Sequence, residues 1–292
     1  MLGSLVQTIT SDGVRLHGFL TETEHLRDAW ILVHGVNSNF YASQLLLELG
    51  QELASEDTAI LLVNTRGHDI LSFNSGPTPM RVGSQIEKVS ASQLDLDAWV
   101  QFLRNRGVQS VSLLGHSLGA IKCILASVKS GERWKSLVAV SPPRLNTELL
   151  SNDSKRGAVF REHLEEAAAR CDAGYPEYVM KVRFPLPMWV CAATYLDKYG
   201  SGEQYDYLAM ANKLCVPTLW TFGQFEVESD SANFKDADKV LQEKLACQPL
   251  FFERHRVSVV HNADHSYRDV TTELAAVIRN WSNQLMKGDS SS

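Results

Sequence analysis

"SVSLLGHSLGAIKCILASV", residues 110–128, decides the fold of this chain. Its first part is a short apolar run of strand character, and its last part carries apolar residues at helical spacing. Between them, Gly115-His116-Ser117-Leu118-Gly119 fits the pattern G-x-S-x-G. A serine on so tight a strand-to-helix turn is held in a strained conformation, with Oγ presented at the top of a sheet. Glycines on either side let neighbouring backbone pass where a Cβ would collide. The new helix turns its first N–H groups toward the same spot, which favours negative charge there. A glycine-rich turn with an incidental serine is the plain alternative. The buried strand before the motif and the helix after it favour Ser117 as a nucleophile.

Outward from this stretch, strands alternate with helices. "AWILVHG" (29–35), "TAILLVNTRG" (58–67) and "SLVAVSPP" (136–143) are continuous apolar runs, suited to strands buried on both faces. "YASQLLLELGQELASE" (41–56) sets Leu45, Leu46, Leu49 and Leu53 on one helical face. "ASQLDLDAWVQFLRNRG" (91–107) reads as a helix closed by a glycine. At the start, "LVQTIT" and "VRLHGFL" flank a turn containing Asp12-Gly13, which reads as a hairpin. The expected fold class is α/β, a mostly parallel doubly wound sheet with an antiparallel edge from this hairpin.

After Pro143 the rhythm breaks. Residues 146–212 show no trustworthy strand run. They contain the helical "REHLEEAAARC" and an aromatic stretch, "FPLPMWVCAATYLDKYG", expected to be mostly helical after its prolines. The sheet rhythm resumes at "VPTLWTFG" (216–223), followed by a helix, a last strand near "RVSVVHNADHS" (256–266) and a final helix over 270–286. The expected division is a core of residues 1–145 and 213–286, an insertion over 146–212 and a disordered tail over 287–292.

The 292 residues are 44% hydrophobic and 21% charged, a globular composition with a large core. The net charge of −6 and the lack of a basic cluster interleaved with aromatics argue against nucleic acid as a partner. The five cysteines are scattered and show no C-x-x-C pair, which fits a reducing compartment rather than a zinc site or a disulfide framework. The N-terminus has no basic region followed by a long apolar one, and no run long enough to span a membrane occurs. A cytoplasmic setting is expected.

A serine needs a base in hydrogen-bond reach, and the base needs an orienting acid. On a strand–turn–helix nucleophile of this kind the acid and then the histidine follow later in the chain. His255, His261 and His265 follow the available acids. His265 lies in "NADHSY", beyond the end of an apolar run, where open α/β sheets build their sites. His261 abuts the strand and is expected to pack or turn the chain, and His255 is expected at the surface. His116 shapes the elbow, and His34 supports the loop after its own strand. The oxyanion donors are expected to be the backbone N–H groups of Leu118 and of Val36, with Asn37 as the alternative to Val36.

In this order, "VHGV", "NTRGHD", "LLGHSLGA", "PTLWTFG" and "NADHSY" resemble the α/β-hydrolase superfamily, over roughly residues 5 to 285. The resemblance implies an eight-stranded, mostly parallel sheet with a helical cap in the place of residues 146–212. It gives Ser117 and His265 the nucleophile and base roles. It also places the acid, since many members read G-x-x-D where this chain has Gly223 followed by Glu226. Glu226 is favoured by that spacing, Asp230 is the runner-up, and Glu228 is expected to face solvent.

The function expected is that of a serine hydrolase cleaving a small carboxylic ester or related acyl bond through an acyl-enzyme, with no cofactor and no metal. Thioester or amide hydrolysis, acyl transfer, and a ligand-binding protein with little turnover are the alternatives. Aromatics of the insertion, Phe160, Phe184, Tyr195 and Tyr199 among them, suit an apolar acyl group, or equally the packing of the insertion itself.

Overall fold

The computed structural model describes residues 2–23, 25–130, 133–200, 203–247 and 254–289. The chain opens with the hairpin β1 (Gly3–Ile9) and β2 (Arg15–Thr21). Then follow β3 (Asp28–Val33), α1 (Gln44–Leu53), β4 (Thr58–Val63) and two three-residue strands, β5 (Ser72–Asn74) and β6 (Met80–Val82). α2 (Ser92–Arg104), β7 (Ser110–His116), α3 (Leu118–Ser130) and β8 (Leu137–Val140) complete the first half. The chain then leaves the sheet for α4 (Thr147–Ser151), α5 (Gly157–Asp172), β9 (Val179–Val182), β10 (Met188–Cys191), α6 (Ala192–Tyr199) and α7 (Tyr207–Met210). It returns with β11 (Thr218–Gly223), α8 (Gln224–Val227), α9 (Ala237–Ala246), β12 (His255–Val260) and α10 (Thr271–Asp289).

The main sheet has eight strands in the order β1-β2-β4-β3-β7-β8-β11-β12. β1 and β2 pair antiparallel, β2 meets β4 antiparallel, and the remaining neighbours are parallel. Residue alternation explains why the inner strands read as unbroken apolar runs. Ile31, Val33, Leu61, Val63 and Leu113 point into one core with Trp99 of α2 and Ile121 of α3. Trp30, Leu32, Ile60, Leu62 and Leu114 point into the other, with Leu46 of α1 and Ile278 of α10. Each fully buried leucine or isoleucine here contributes about 2 kcal/mol through the apolar surface it removes from water. Helices thus pack on both faces of the sheet, which leaves the ends of its strands free to carry the loops of the site.

Two expectations are corrected. The excursion between β8 and β11 is not all helical: β9 and β10 form an antiparallel ribbon, with Val182 opposite Met188. Its sequence does alternate, since Met180 and Val182 are buried while Val179 and Lys181 are exposed, but four residues are too few to read between prolines. The helix of the aromatic stretch starts only at Ala192. At the C-terminus, α10 runs to Asp289, so residues 287–289 are helical where a disordered tail was expected. Residues 290–292 of that tail lie outside the described residues.

Candidate active site

β7 ends at His116, and Ser117 starts the turn into α3 with φ +55°, the left-handed region that side chains rarely adopt. The turn is held shut by backbone: the Ser117 amide donates to the Val140 carbonyl of β8 at 2.9 Å. Both flanking glycines are needed for close approach. A Cβ on Gly115 would meet the Gly119 carbonyl oxygen at 2.3 Å, and one on Gly119 would meet the Val33 carbonyl oxygen at 2.3 Å. The first turn of α3 is thus pressed against the end of β3, which brings the Val36 loop beside Ser117.

The His265 loop follows β12 and docks on α8. The Phe225 amide donates to the Ala263 carbonyl at 3.0 Å, and the Asn262 amide donates to Gln224 Oε1 at 3.0 Å. This fixes His265 with Nε2 3.1 Å from Ser117 Oγ. Its other nitrogen, Nδ1, lies 2.5 Å from Glu226 Oε1. Glu226 is the third residue of α8, and its Oε2 reaches back to accept the Gly223 amide at the helix start, at 2.7 Å. Oε2 also accepts the Ser141 hydroxyl, which lies 2.9 Å from the Tyr267 hydroxyl. Glu226 is buried, and its two oxygens are divided between positioning bonds and the imidazole.

Asp230 is elsewhere. Its side chain is 71% exposed and paired with Lys155 and Lys235. Glu228 is exposed and accepts from Gln224. Of the three acids in this loop, the structure sets only Glu226 against His265.

His34, His116, His255 and His261 lie outside the chain from Ser117 to Glu226. His34 is fully buried, with Nδ1 2.8 Å from the Gly35 carbonyl, so Nδ1 carries the proton. Its Nε2 accepts the Thr65 amide at 3.3 Å. Burial, followed by the Lys122 charge, pushes its pKa down to about 3. His116 donates from Nε2 to the backbone carbonyl of His265 at 2.8 Å, and burial likewise holds it at about 3. His116 therefore ties the elbow to the histidine loop, a link that the sequence does not advertise. His261 is exposed in a turn. His255 is a correction: it is buried rather than at the surface, because the Trp220 indole of β11 donates to its Nδ1 at 3.0 Å.

Ser117, His265, Val36 and Leu118 open into a cavity of about 900 Å³. Neither the Val36 nor the Leu118 amide donates to another described residue. Asn37 does not line the cavity; its Oδ1 accepts the Ser84 hydroxyl. The excursion after β8 contributes Leu145, Pro185, Leu186, Lys198 and Tyr199 to the cavity lining. Of the aromatics expected in this segment, Phe160, Phe184, Tyr195 and Tyr199 pack on one another, and only Tyr199 reaches the cavity.

Behind the Val36 loop lies a buried ionic chain. Lys122 of α3 donates to Thr65 Oγ1 at 3.0 Å and to Glu87 Oε2 at 2.7 Å. Glu87 Oε1 lies 3.3 Å from Lys198 of α6. Burial opposes the charge on Glu87, but the two lysines overcome it and hold its pKa at about 2. Among the described residues no group of three or more histidines, cysteines or acids is arranged to hold a metal ion. No described helix is long and apolar enough to cross a membrane.

A largely parallel sheet with a serine on its strand-to-helix elbow, and an acid and a histidine on later loops, defines the α/β-hydrolase class. The alpha/beta hydrolase family model matches residues 30–279, and the chain belongs to that family. No curated protein matches its sequence. Among solved structures it is similar to Est1E from Butyrivibrio proteoclasticus with ferulic acid bound, at 13% identity over 97% of this chain and 100% of that one, with a TM-score of 0.66. It is similar to the alpha/beta hydrolase GrgF from Penicillium sp. sh18, at 16% identity over 98% and 99%, with a TM-score of 0.67. It is also similar to the esterase Pf2001 of Pyrococcus furiosus, at 16% identity over 97% and 91%, with a TM-score of 0.63. At these identities the likeness is one of fold.

Proposed function

We propose that this protein is a serine hydrolase that cleaves a small carboxylic ester through an acyl-enzyme. The observation that carries the reading is the unbroken chain Ser117 Oγ, His265, Glu226 at the wall of a cavity. His265 Nε2 takes the Ser117 proton as Oγ attacks the ester carbonyl. Negative charge on the carbonyl oxygen is met by the Leu118 and Val36 amides, which have no other described acceptor. The protonated imidazole gives its proton to the leaving alcohol. Water then adds to the acyl group by the same route and frees the acid and Ser117. Glu226 holds the proton of neutral His265 on Nδ1 and stabilises the imidazolium, while Ser141 and Gly223 hold Glu226 in place.

Residues 146–212 act in this reading as a cap, whose Pro185, Leu186 and Tyr199 give the acyl or alcohol group an apolar surface. The solved structures named above, one of them an esterase, lend support by fold only.

The test compares wild type with Ser117→Ala on aryl esters, thioesters and amides, with fluorophosphonate labelling beside it. Wild type is expected to be labelled at Ser117 and to turn over esters fastest, and the variant to lose both. A wild type that takes no label and cleaves nothing would point to a binding protein. Faster transfer to an added alcohol or amine than to water would point to an acyltransferase.

A further inference from the structure

The cavity wall holds one buried cation that the acyl chemistry does not use. Lys198 is 3% exposed, and it lines the same cavity as Ser117. Its ammonium has three N–H donors. Among the described residues two oxygens stand near it, the Ser84 carbonyl at 3.3 Å and Glu87 Oε1 at 3.3 Å. Both are long for a charged nitrogen, which commonly reaches its acceptor at about 2.8 Å.

Glu87 is committed to the other lysine. Its Oε2 receives Lys122 at 2.7 Å, while Oε1 has no well-formed hydrogen bond, so its pull on Lys198 is Coulombic. The next acid on α6, Asp197, is occupied by the Val89 amide and the Tyr205 hydroxyl. Asp95 is occupied by Arg66. Among the described residues Glu87 is therefore the one carboxylate within salt-bridge distance of either buried ammonium group. Burial lowers the Lys198 pKa, the Lys122 charge adds to this, and Glu87 and, more weakly, Asp197 only partly oppose it. The other charged residues of the cavity, Glu48, Arg268 and Asp269, are half-buried or exposed. Among the cavity's Lys, Arg, Asp and Glu residues, Lys198 is the buried one.

We propose that Lys198 binds a carboxylate on the substrate, so that the protein acts on esters carrying a free carboxylate away from the bond that is cut. This rests on the hydrolase reading for the cleavage but not for the binding. The incoming carboxylate accepts the donor that the protein leaves unused, and Leu118, Leu145 and Tyr199 of the same cavity lining offer apolar surface to the rest of the substrate. An uncharged ester of the same length leaves Lys198 as it is and gains nothing from it.

Binding is measured first, without turnover, by titrating Ser117→Ala with monomethyl suberate and with dimethyl suberate. The half-acid is expected to bind about tenfold to a hundredfold more tightly, the usual gain from one charge-assisted hydrogen bond in a buried site. That preference should vanish in Ser117→Ala/Lys198→Met and return in part with Lys198→Arg. In wild type, p-nitrophenyl hydrogen suberate should show a lower KM than p-nitrophenyl methyl suberate. An acetate ester of an ω-hydroxy acid, set against its amide, asks the same question with the carboxylate on the alcohol side. A preference for the acid in either arrangement that depends on Lys198 upholds the proposal and says which side the carboxylate lies on. Equal binding of acid and uncharged ester in Ser117→Ala overturns it whatever the Lys198 variants do, and so does a preference that Lys198→Met leaves unchanged. A binding preference without any ester turnover or labelling of wild type defeats the hydrolase reading alone.

Discussion

Glu226 meets His265 with one oxygen and the protein with the other: Oε1 lies 2.5 Å from Nδ1, while Oε2 is held by the Gly223 amide and the Ser141 hydroxyl. A carboxylate fixed at one oxygen keeps a constant direction at the other. The imidazole is thereby left a single useful tautomer, with its lone pair toward Ser117.

That division predicts unequal effects of two isosteric changes. Glu226→Gln can present its amide N–H to Nδ1, which moves the imidazole proton to Nε2 and removes the base. Loss of the tautomer is expected to lower kcat on an aryl ester by about 10³ to 10⁴. Asp230→Asn removes only solvated pairs with Lys155 and Lys235, which contribute little at the surface, and should stay within about twofold of wild type. Steady-state kinetics on both variants decides the matter. If Asp230→Asn is the impaired variant, Glu226 is not the triad acid.

Glu87 offers a stability test away from the reacting atoms. It is fully buried and neutralises Lys122 while pulling on Lys198. Glu87→Gln removes the carboxylate directly paired with two buried ammonium groups, and removing one member of a buried pair costs about 3 to 5 kcal/mol. For a chain of this size that lowers the melting temperature by about 10 °C. A calorimetric scan checks it. A shift of about a degree or less would mean that the lysines shed their charge freely or that water reaches them.

Much of this was legible in the sequence, for reasons that can be traced. β3, β4, β7 and β8 read as strands because both their faces are buried, so each carries an apolar run rather than an alternation. The elbow read as such because Gly115 and Gly119 have no room for a Cβ. His265 was legible from its place beyond a strand end, and Glu226 from its spacing after Gly223. The illegible parts depend on contacts between distant residues. Ser141 and Tyr267 meet across 126 positions, and Lys198 meets Ser84 across 114. Each of these residues, read alone, is an ordinary polar side chain. His255 misled because it lies before the apolar core of its strand, whereas Trp220, 35 positions earlier, packs against it and donates to its Nδ1.

Acid should weaken the fold in a defined window. Burial holds His34 and His116 at about 3 and His255 at about 4, whereas unfolding returns each to about 6.5. Between about pH 6.5 and 4 the unfolded chain binds protons that the folded chain refuses, so stability falls as pH falls. Above about pH 6.5 these groups are neutral in both states and contribute no slope. Glu87, held at about 2, acts lower: its contribution is present above about pH 4.5 and is lost on the way down to about 2. Melting temperatures should therefore be level from about pH 8 to 7 and decline below about 6.5. His255→Gln keeps an acceptor for the Trp220 indole and should make the decline shallower. A level profile down to about pH 4.5 would contradict this account.

At Ser117 the backbone decides the sign of a substitution's effect on stability. Ordinarily an alanine is more stable than a glycine by about 0.5 to 1 kcal/mol, because glycine has more freedom to lose on folding. At φ +55° the balance reverses, since any side chain in the left-handed region costs about 1 to 2 kcal/mol that glycine avoids. Both Ser117→Gly and Ser117→Ala should lack turnover and labelling, so activity does not separate them. Stability should, with Ser117→Gly melting a few degrees above Ser117→Ala. Ser117→Gly should also exceed wild type, because the strain imposed by the nucleophile's own side chain is gone. If the alanine variant melts at or above the glycine variant, the elbow does not hold position 117 in the left-handed region, and the close approach of Oγ to His265 Nε2 loses its structural cause.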